Sequence, residues 1–100
     1  MEFVQIVEFS STRIDEIRTL SEEFRVQQGS RPGGTASAVL MTADRDTPDR
    51  YLVIAQFASY EEAMENSKRP EVSTFAQAMA ALCDGPPVFR NLDVVERLEN

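Results

Sequence analysis

Residues 2–9 read EFVQIVEF, a run of β-branched and aromatic residues that predicts a first β-strand. Successive side chains alternate between the two faces of a strand, so Phe3 and Val7 share one face. Val4 and Ile6 lie on the opposite face. Because both faces are mostly apolar, this strand is expected to be covered on both sides.

Helical and strand patterns alternate along the rest of the chain. Apolar residues three and four apart predict helices, while TASAVLMTA and RYLVIAQF have the composition of strands joined by a charged turn. Gly29 and the SRPGG loop (30–34) are expected to follow the first helix. The elements predicted after the first strand are a helix that follows the cap candidates Ser10, Ser11 and Thr12 and ends at about Gln28, a hairpin of strands 35–43 and 50–57, a helix broken before Pro70, and a strand from Val88 to Leu98.

This order of elements predicts an α+β fold, the ferredoxin-like βαββαβ plait, with a four-stranded antiparallel sheet and the helices on one face. The other face of the sheet then has no cover within the chain. Leaving its apolar side chains in water costs about 1.5–3 kcal/mol each relative to burial. We therefore expect two copies to pair face to face, as a homodimeric α/β barrel.

The composition is that of a soluble single domain spanning residues 1–100, with 42% hydrophobic and 27% charged residues. A formal net charge of −7 argues against nucleic acid and anionic membrane surfaces as partners. The single Cys83 cannot form an internal disulfide, and no signal peptide or membrane-spanning run is present in the sequence. A cytoplasmic location is expected.

Several kinds of chemistry lack their usual residues. The sequence has no His, which excludes a Ser–His triad and haem ligation through imidazole. The three aspartates of the 44–49 loop alternate with arginines, which favours a solvated turn over a metal site. Cys83 falls in an apolar helical stripe and is expected to be a buried structural thiol. We expect neither a metal nor a cofactor, and no catalytic residue is identified.

Polar side chains that interrupt apolar strands, or lie where the second helix breaks, are the candidate ligand contacts. A buried amide or guanidinium group needs a hydrogen-bond partner, which is either another protein group or a ligand. For Arg90 an ion pair is favoured over a ligand contact, and helix capping explains Asn66 equally well. A register shift of one residue would exchange the faces of the strand residues, so the sequence does not determine which side of the sheet they face. The candidates for substrate binding are Gln5, Tyr51, Asn66, Arg90 and Asn91.

Four segments resemble the dimeric α/β-barrel superfamily and, within it, the small domain of antibiotic-biosynthesis-type monooxygenases. They are FVQIVEF (3–9), MTADRDTPDRYLVIAQF (41–57), FASYEEAMENSKRPEV (57–72) and FRNLDVVE (89–96). The resemblance implies a barrel of two sheets with a pocket between the helices and the sheet of each subunit. The haem-degrading branch is excluded, since its Asn, Trp and His positions are occupied here by Gln5 or Val7, Ser67 and Gln77.

The resemblance implies a protein that binds a small apolar or aromatic ligand, with cofactor-independent oxygenation of an aromatic or quinol-like substrate as one activity. Tyr51, Gln5 or Asn91 would then hold the substrate oxygen, and Arg90 would stabilise the anion. Glu8 could act as a base only if burial raised its pKa. A non-catalytic binding or assembly module is the alternative, favoured by the absence of His. A small-molecule isomerase, which would need a buried ionisable group, is a further alternative.

Overall fold

The computed structural model describes residues 1–28 and 36–99. Its four strands form one antiparallel sheet in the order β2-β3-β1-β4. The predicted α+β, ferredoxin-like fold is confirmed, including the break between the second and third helices. The elements are β1 (Phe3–Ser10), α1 (Ile14–Gln28), β2 (Ala38–Ala43), β3 (Arg50–Phe57), α2 (Tyr60–Ser67), α3 (Pro70–Ala81) and β4 (Val88–Asp93).

The last strand is shorter than the sequence predicted, because it ends at Asp93 instead of Leu98. Asp93 pairs with Phe3, the first residue of β1, and the Val94 N–H donates to the Glu2 carbonyl at 2.9 Å. Beyond that bond β1 offers no further partner to pair with, so the alternating pattern of the tail cannot continue the sheet. The predictions for Gly29 and the SRPGG loop lie outside the described residues.

Ser11 connects the start of α1 to the end of α3. Its side chain is fully buried, and its Oγ donates to the Leu82 carbonyl at 2.7 Å. The same Oγ accepts from the Arg13 N–H at 2.9 Å, which satisfies a backbone donor at the start of the helix. One hydroxyl group therefore shapes the entry to α1 and holds that entry against the C-terminal end of α3.

The helices pack on one face of the sheet through two apolar clusters. Phe3, Phe57 and Ala63 form the first, and Phe9, Ile17 and Met79 form the second. Phe3 and Phe9 are six residues apart on the same face of β1, so about 20 Å separate the two ends of the core. Gln5 and Val7 occupy the stretch of β1 between them.

The opposite face of the sheet, here called the open face, is apolar as predicted. Leu40, Val88 and Leu92 are 55%, 47% and 44% exposed on it, while the central Ile6 and Ile54 are half-buried. The open-face side chains are Val4, Ile6, Glu8, Ser10, Ala38, Leu40, Thr42, Arg50, Leu52, Ile54, Gln56, Val88, Arg90 and Leu92.

Within residues 1–28 and 36–99, no helix is long and apolar enough to cross a membrane.

Candidate functional site

The strand register places Gln5 and Asn91 on the helix-facing side of the sheet. Gln5 lies directly opposite Asn91 on β4 and shares a face with the buried Phe3 and Phe9. The Gln5 Nε2 donates a hydrogen bond to the Asn91 Oδ1 over 3.2 Å. These two residues, here called the amide pair, are thus brought together from positions 86 residues apart in sequence.

Gln5 lies between the two apolar clusters along β1, and Asn91 lies next to it on the edge strand β4. On its other side Gln5 pairs with Ala55 of β3, which packs against the Phe3 cluster. Gln5 is half-buried and Asn91 is exposed. Among the residues that the structure describes, nothing bonds to the Gln5 Oε1 or the Asn91 Nδ2. The pair therefore offers one acceptor and one donor to a small molecule.

Phe89 and Asp93 flank Asn91 on the same face, at the edge of the sheet. Phe89 is 57% exposed, an unusual placement for a large aromatic ring. Asp93 carries the one carboxylate that the described strands place on the helix-facing side. The alternation within FRNLD already grouped these residues, but the sequence could not indicate which group faces the helices.

Tyr51 lies on the same side of the sheet but at its far end. It pairs with Phe9 and stacks on that ring, with the centroids 5.7 Å apart. Tyr51 is four positions from Ala55 in β3, which is about 13 Å along the strand. Tyr51 belongs to the Phe9 cluster, and the structure does not bring it to the amide pair.

The expected cooperation of Arg90 with Asn91 is wrong, because adjacent residues of a strand point to opposite faces. Arg90 lies on the open face, where its Nη2 is 3.4 Å from the Glu8 Oε2. Glu8 also accepts from Arg50, whose Nη2 is 2.9 Å from the Glu8 Oε1. The sheet therefore separates the guanidinium group of Arg90 from the amide pair.

Glu8 is also wrong as a candidate base. Hydrogen bonds from Arg50 and Arg90 lower its pKa, and they outweigh the effect of desolvation, which raises it. Pairing with two guanidinium groups makes this carboxylate a weaker proton acceptor. Glu8 is held as a carboxylate on the open face, away from the helix-facing gap.

Asn66 lies at the break between α2 and α3, as predicted. Its Oδ1 accepts from the Arg69 Nη1 at 3.3 Å, and the Arg69 Nε donates to the Glu71 Oε1 at 2.8 Å. Asn66 is half-buried, and its side chain links the end of α2 to the residue before α3. This bond supports the simpler of its two interpretations, a structural one.

Cys83 packs against the Phe9 cluster, and its Sγ donates to the Met79 carbonyl at 3.3 Å. Burial raises the pKa of its thiol, and the neighbouring Asp84 raises it further. A thiol in this setting is a poor nucleophile, as the sequence predicted. In residues 1–28 and 36–99, no cluster of three His, Cys, Asp or Glu residues could hold a metal ion, and no ionisable side chain is fully buried.

Comparison with known proteins gives structural neighbours without close sequence relatives. No family profile matches the sequence, and no curated protein matches it. SnoaB, a cofactor-independent oxygenase from Streptomyces nogalater studied as a point variant, superposes with a TM-score of 0.81. It is 16% identical, over 99% of this chain and 98% of that chain. The chain has the fold of the antibiotic-biosynthesis-monooxygenase domain.

Two further solved structures share that fold. A protein from Caulobacter crescentus, described as an antibiotic biosynthesis monooxygenase, gives a TM-score of 0.79 at 17% identity over 95% of this chain and 91% of that chain. A conserved protein from Methanosarcina mazei gives 0.78 at 5% identity over 92% of this chain and 91% of that chain. The resemblance expected from the sequence is confirmed at the level of the fold, and identities this low leave the activity to the site itself.

Proposed function

We propose that this chain binds a small, uncharged aromatic or quinol-like molecule at the amide pair and acts on it as a cofactor-independent monooxygenase. The observation that carries the proposal is the Gln5–Asn91 hydrogen bond on the helix-facing side, between two apolar clusters. A few polar atoms in an apolar setting are typical of small-molecule sites.

The charges on this side of the sheet support an uncharged substrate. The described strands place no Lys or Arg there, and Arg50 and Arg90 are on the open face. Asp93 would repel an anion. A ring could lie against Phe89, with its oxygen held by the free acceptor and donor of the amide pair.

The reaction would start with loss of a proton from an acidic ring CH2 group of the substrate. Asp93, the carboxylate on this face, is our candidate acceptor of that proton. The carbanion would then combine with O2, with one oxygen atom becoming the product carbonyl. The other oxygen atom would leave as water with the two hydrogens of the CH2 group. The free Nδ2 donor of Asn91 would stabilise the negative charge that develops on the substrate oxygen.

We further propose that the protein is a cytoplasmic homodimer of one domain, residues 1–100. The supporting observation is the open face, where Leu40, Val88 and Leu92 would otherwise stay in water. A second copy would bury these side chains by face-to-face pairing. The cytoplasmic assignment rests on Cys83, which has no disulfide partner in the sequence.

A non-catalytic assembly module is the second candidate, and a specific observation favours it. The described residues contain no buried polar side-chain atom without a hydrogen-bond partner, so no group is held ready for a ligand in a dry site. On this interpretation the open face would be the functional surface, and the amide pair would only connect β1 to β4.

Oxygen consumption with a panel of anthrone-like and hydroquinone substrates distinguishes the two candidates. The matched variants are Asn91→Leu, which removes the amide pair, and Arg90→Leu, which changes the adjacent residue on the other face. We expect uptake by the unmodified protein, loss in Asn91→Leu and retention in Arg90→Leu. No uptake and no ligand-induced rise in melting temperature across the panel would favour the assembly module.

A further inference from the structure

A groove between α1 and α3 lies on the helical layer, away from both the amide pair and the open face. It is shallow and largely open to solvent, with a volume of about 490 Å³. Five of the residues that line it come from α1, one comes from α3, and one is the C-cap of α3. They are Asp15, Glu16, Thr19, Leu20, Glu23, Ala78 and Leu82.

The floor of this groove is apolar and continuous with the core. Leu20 and Leu82 are half-buried and pack against the Phe9 cluster. Ala78 lies one helical turn before Leu82 and extends no further than its methyl group. A side chain that entered the groove would therefore meet hydrocarbon below and little obstruction from α3.

The α1 side of the groove is acidic, and the α3 side is uncharged. Asp15 and Glu23 have no ion-pair partner within the described part of the chain, whereas Glu16 contacts Arg13. Asp15 and Glu23 are eight residues apart, which is about 12 Å along the helix. No lysine or arginine lines the groove, and α3 (PEVSTFAQAMAA) contains none.

We propose that this groove docks a basic amphipathic helix of a partner protein. Leucine-like side chains three and four residues apart would fill the floor formed by Leu20, Ala78 and Leu82. Lysine or arginine residues on one flank would lie against Asp15 and Glu23, while the other flank would face Ala78 on α3. Because only the α1 side of the groove is acidic, the cationic flank of the bound helix must face α1.

This docking surface is independent of the proposed catalytic and dimeric functions. The groove lies on the helical layer, so a second copy paired through the open face would leave it accessible. If the groove binds no helix, the oxygenase proposal is unaffected. If the protein is not an oxygenase, the docking proposal is unaffected.

The test measures binding of two fluorescently labelled 15-residue helical peptides to the full chain at physiological salt. One peptide has leucine anchors and lysine flanks, and the other has the same anchors with glutamate flanks. We expect saturable binding of the lysine peptide only. The variant Asp15→Lys/Glu23→Lys should weaken it about tenfold, the size expected for reversing two exposed charges.

The control is Glu61→Lys/Glu65→Lys on α2, which changes the net charge by the same amount. In each double variant, one of the two positions lies in the first turn of its helix. It should alter affinity less than twofold. Equal weakening by both variants would reduce the effect to overall charge and overturn the proposal. Binding of the glutamate peptide with equal affinity would also overturn it.

A second variant, Ala78→Phe, tests the floor without changing any charge. It should fill the groove and weaken the lysine peptide at least as much as the charge reversal does. Circular dichroism melting establishes that the variant is folded. Unchanged affinity in folded Ala78→Phe would contradict docking at this site. If Ala78→Phe does not fold, the comparison of the two charge variants still decides the proposal.

Discussion

The Gln5 Nε2 and the Asn91 Oδ1 are 3.2 Å apart on the helix-facing side of the sheet, while the next residue, Arg90, reaches Glu8 on the opposite side. This relationship divides the polar residues of the strands into two groups. An uncharged pair lies beneath the helices, and a charged group lies on the open face. The two groups support different predictions.

Replacing Asn91 should impair the proposed reaction far more than replacing its neighbour. Asn91→Leu removes the hydrogen bond to Gln5 and the polar contact to the substrate oxygen. We expect kcat/KM for oxygen uptake to fall about tenfold or more, since one hydrogen bond contributes about 0.5–1.5 kcal/mol and more when it meets charge. Arg90→Leu should leave kcat/KM within about twofold. Equal losses in the two variants would contradict the assignment of the site to the helix-facing side.

Asp93 should affect turnover more than binding if it accepts the substrate proton. Asp93→Asn keeps the shape and removes the base, so kcat should fall by about two orders of magnitude with KM little changed. Steady-state oxygen uptake measures both constants. A fall of less than about twofold in kcat would show that another group or the solvent takes the proton.

Dimer formation should depend on Leu40 but not on its neighbour Val39. The two side chains are similarly exposed, at 55% and 60%, but only Leu40 lies on the open face. Leu40→Lys should weaken the dimer at least about tenfold, because it loses about 1.5–3 kcal/mol of apolar burial and adds a charge. Sedimentation velocity at micromolar concentration provides the measurement. A monomeric unmodified chain, or dissociation by Val39→Lys alone, would exclude pairing through this face.

Acid should destabilise the protein partly through Glu8. Hydrogen bonds from Arg50 and Arg90 lower its folded-state pKa below the ordinary 4.5. Its contribution to the free energy of unfolding is therefore complete above about pH 4.5 and is lost as pH falls through the folded-state pKa. Urea denaturation from about pH 6 to about pH 3 should show a smaller pH dependence for Glu8→Gln than for the unmodified chain. An equal pH dependence in Glu8→Gln and the unmodified chain would show that the Glu8 ion pairs do not contribute to acid sensitivity.

Ser11 should contribute more to stability than its neighbour Thr12. Ser11→Ala leaves the half-buried Leu82 carbonyl and the Arg13 N–H without their partner, which costs about 1–3 kcal/mol. For a domain of this size, the melting temperature should fall by about 4–8 °C for each kcal/mol. Thr12→Ala alters an exposed side chain and should change it by less than about 2 °C. Equal shifts would mean that burial of the Ser11 hydroxyl contributes nothing.

The sequence by itself determined the order of the elements, because their signals are local. Alternation in EFVQIVEF, the spacing of apolar residues in α1 and the position of Pro70 each depend on neighbours a few residues away. The apolar character of both faces of β1 and β3 was equally readable, and the fold followed from it. The end of β4 was not, since it depends on where β1 begins.

Only the tertiary structure decided which polar residues meet. A strand pattern defines two sets of side chains without saying which set faces the helices, and the register with β1 is what assigned Asn91 to one side and Arg90 to the other. The same register made Glu8 an ion-pair partner instead of a base, and it placed Tyr51 about 13 Å from Gln5 along the sheet. The α1–α3 groove likewise depends on packing between helices far apart in sequence. Contacts of this kind depend on long-range packing, which local patterns do not encode.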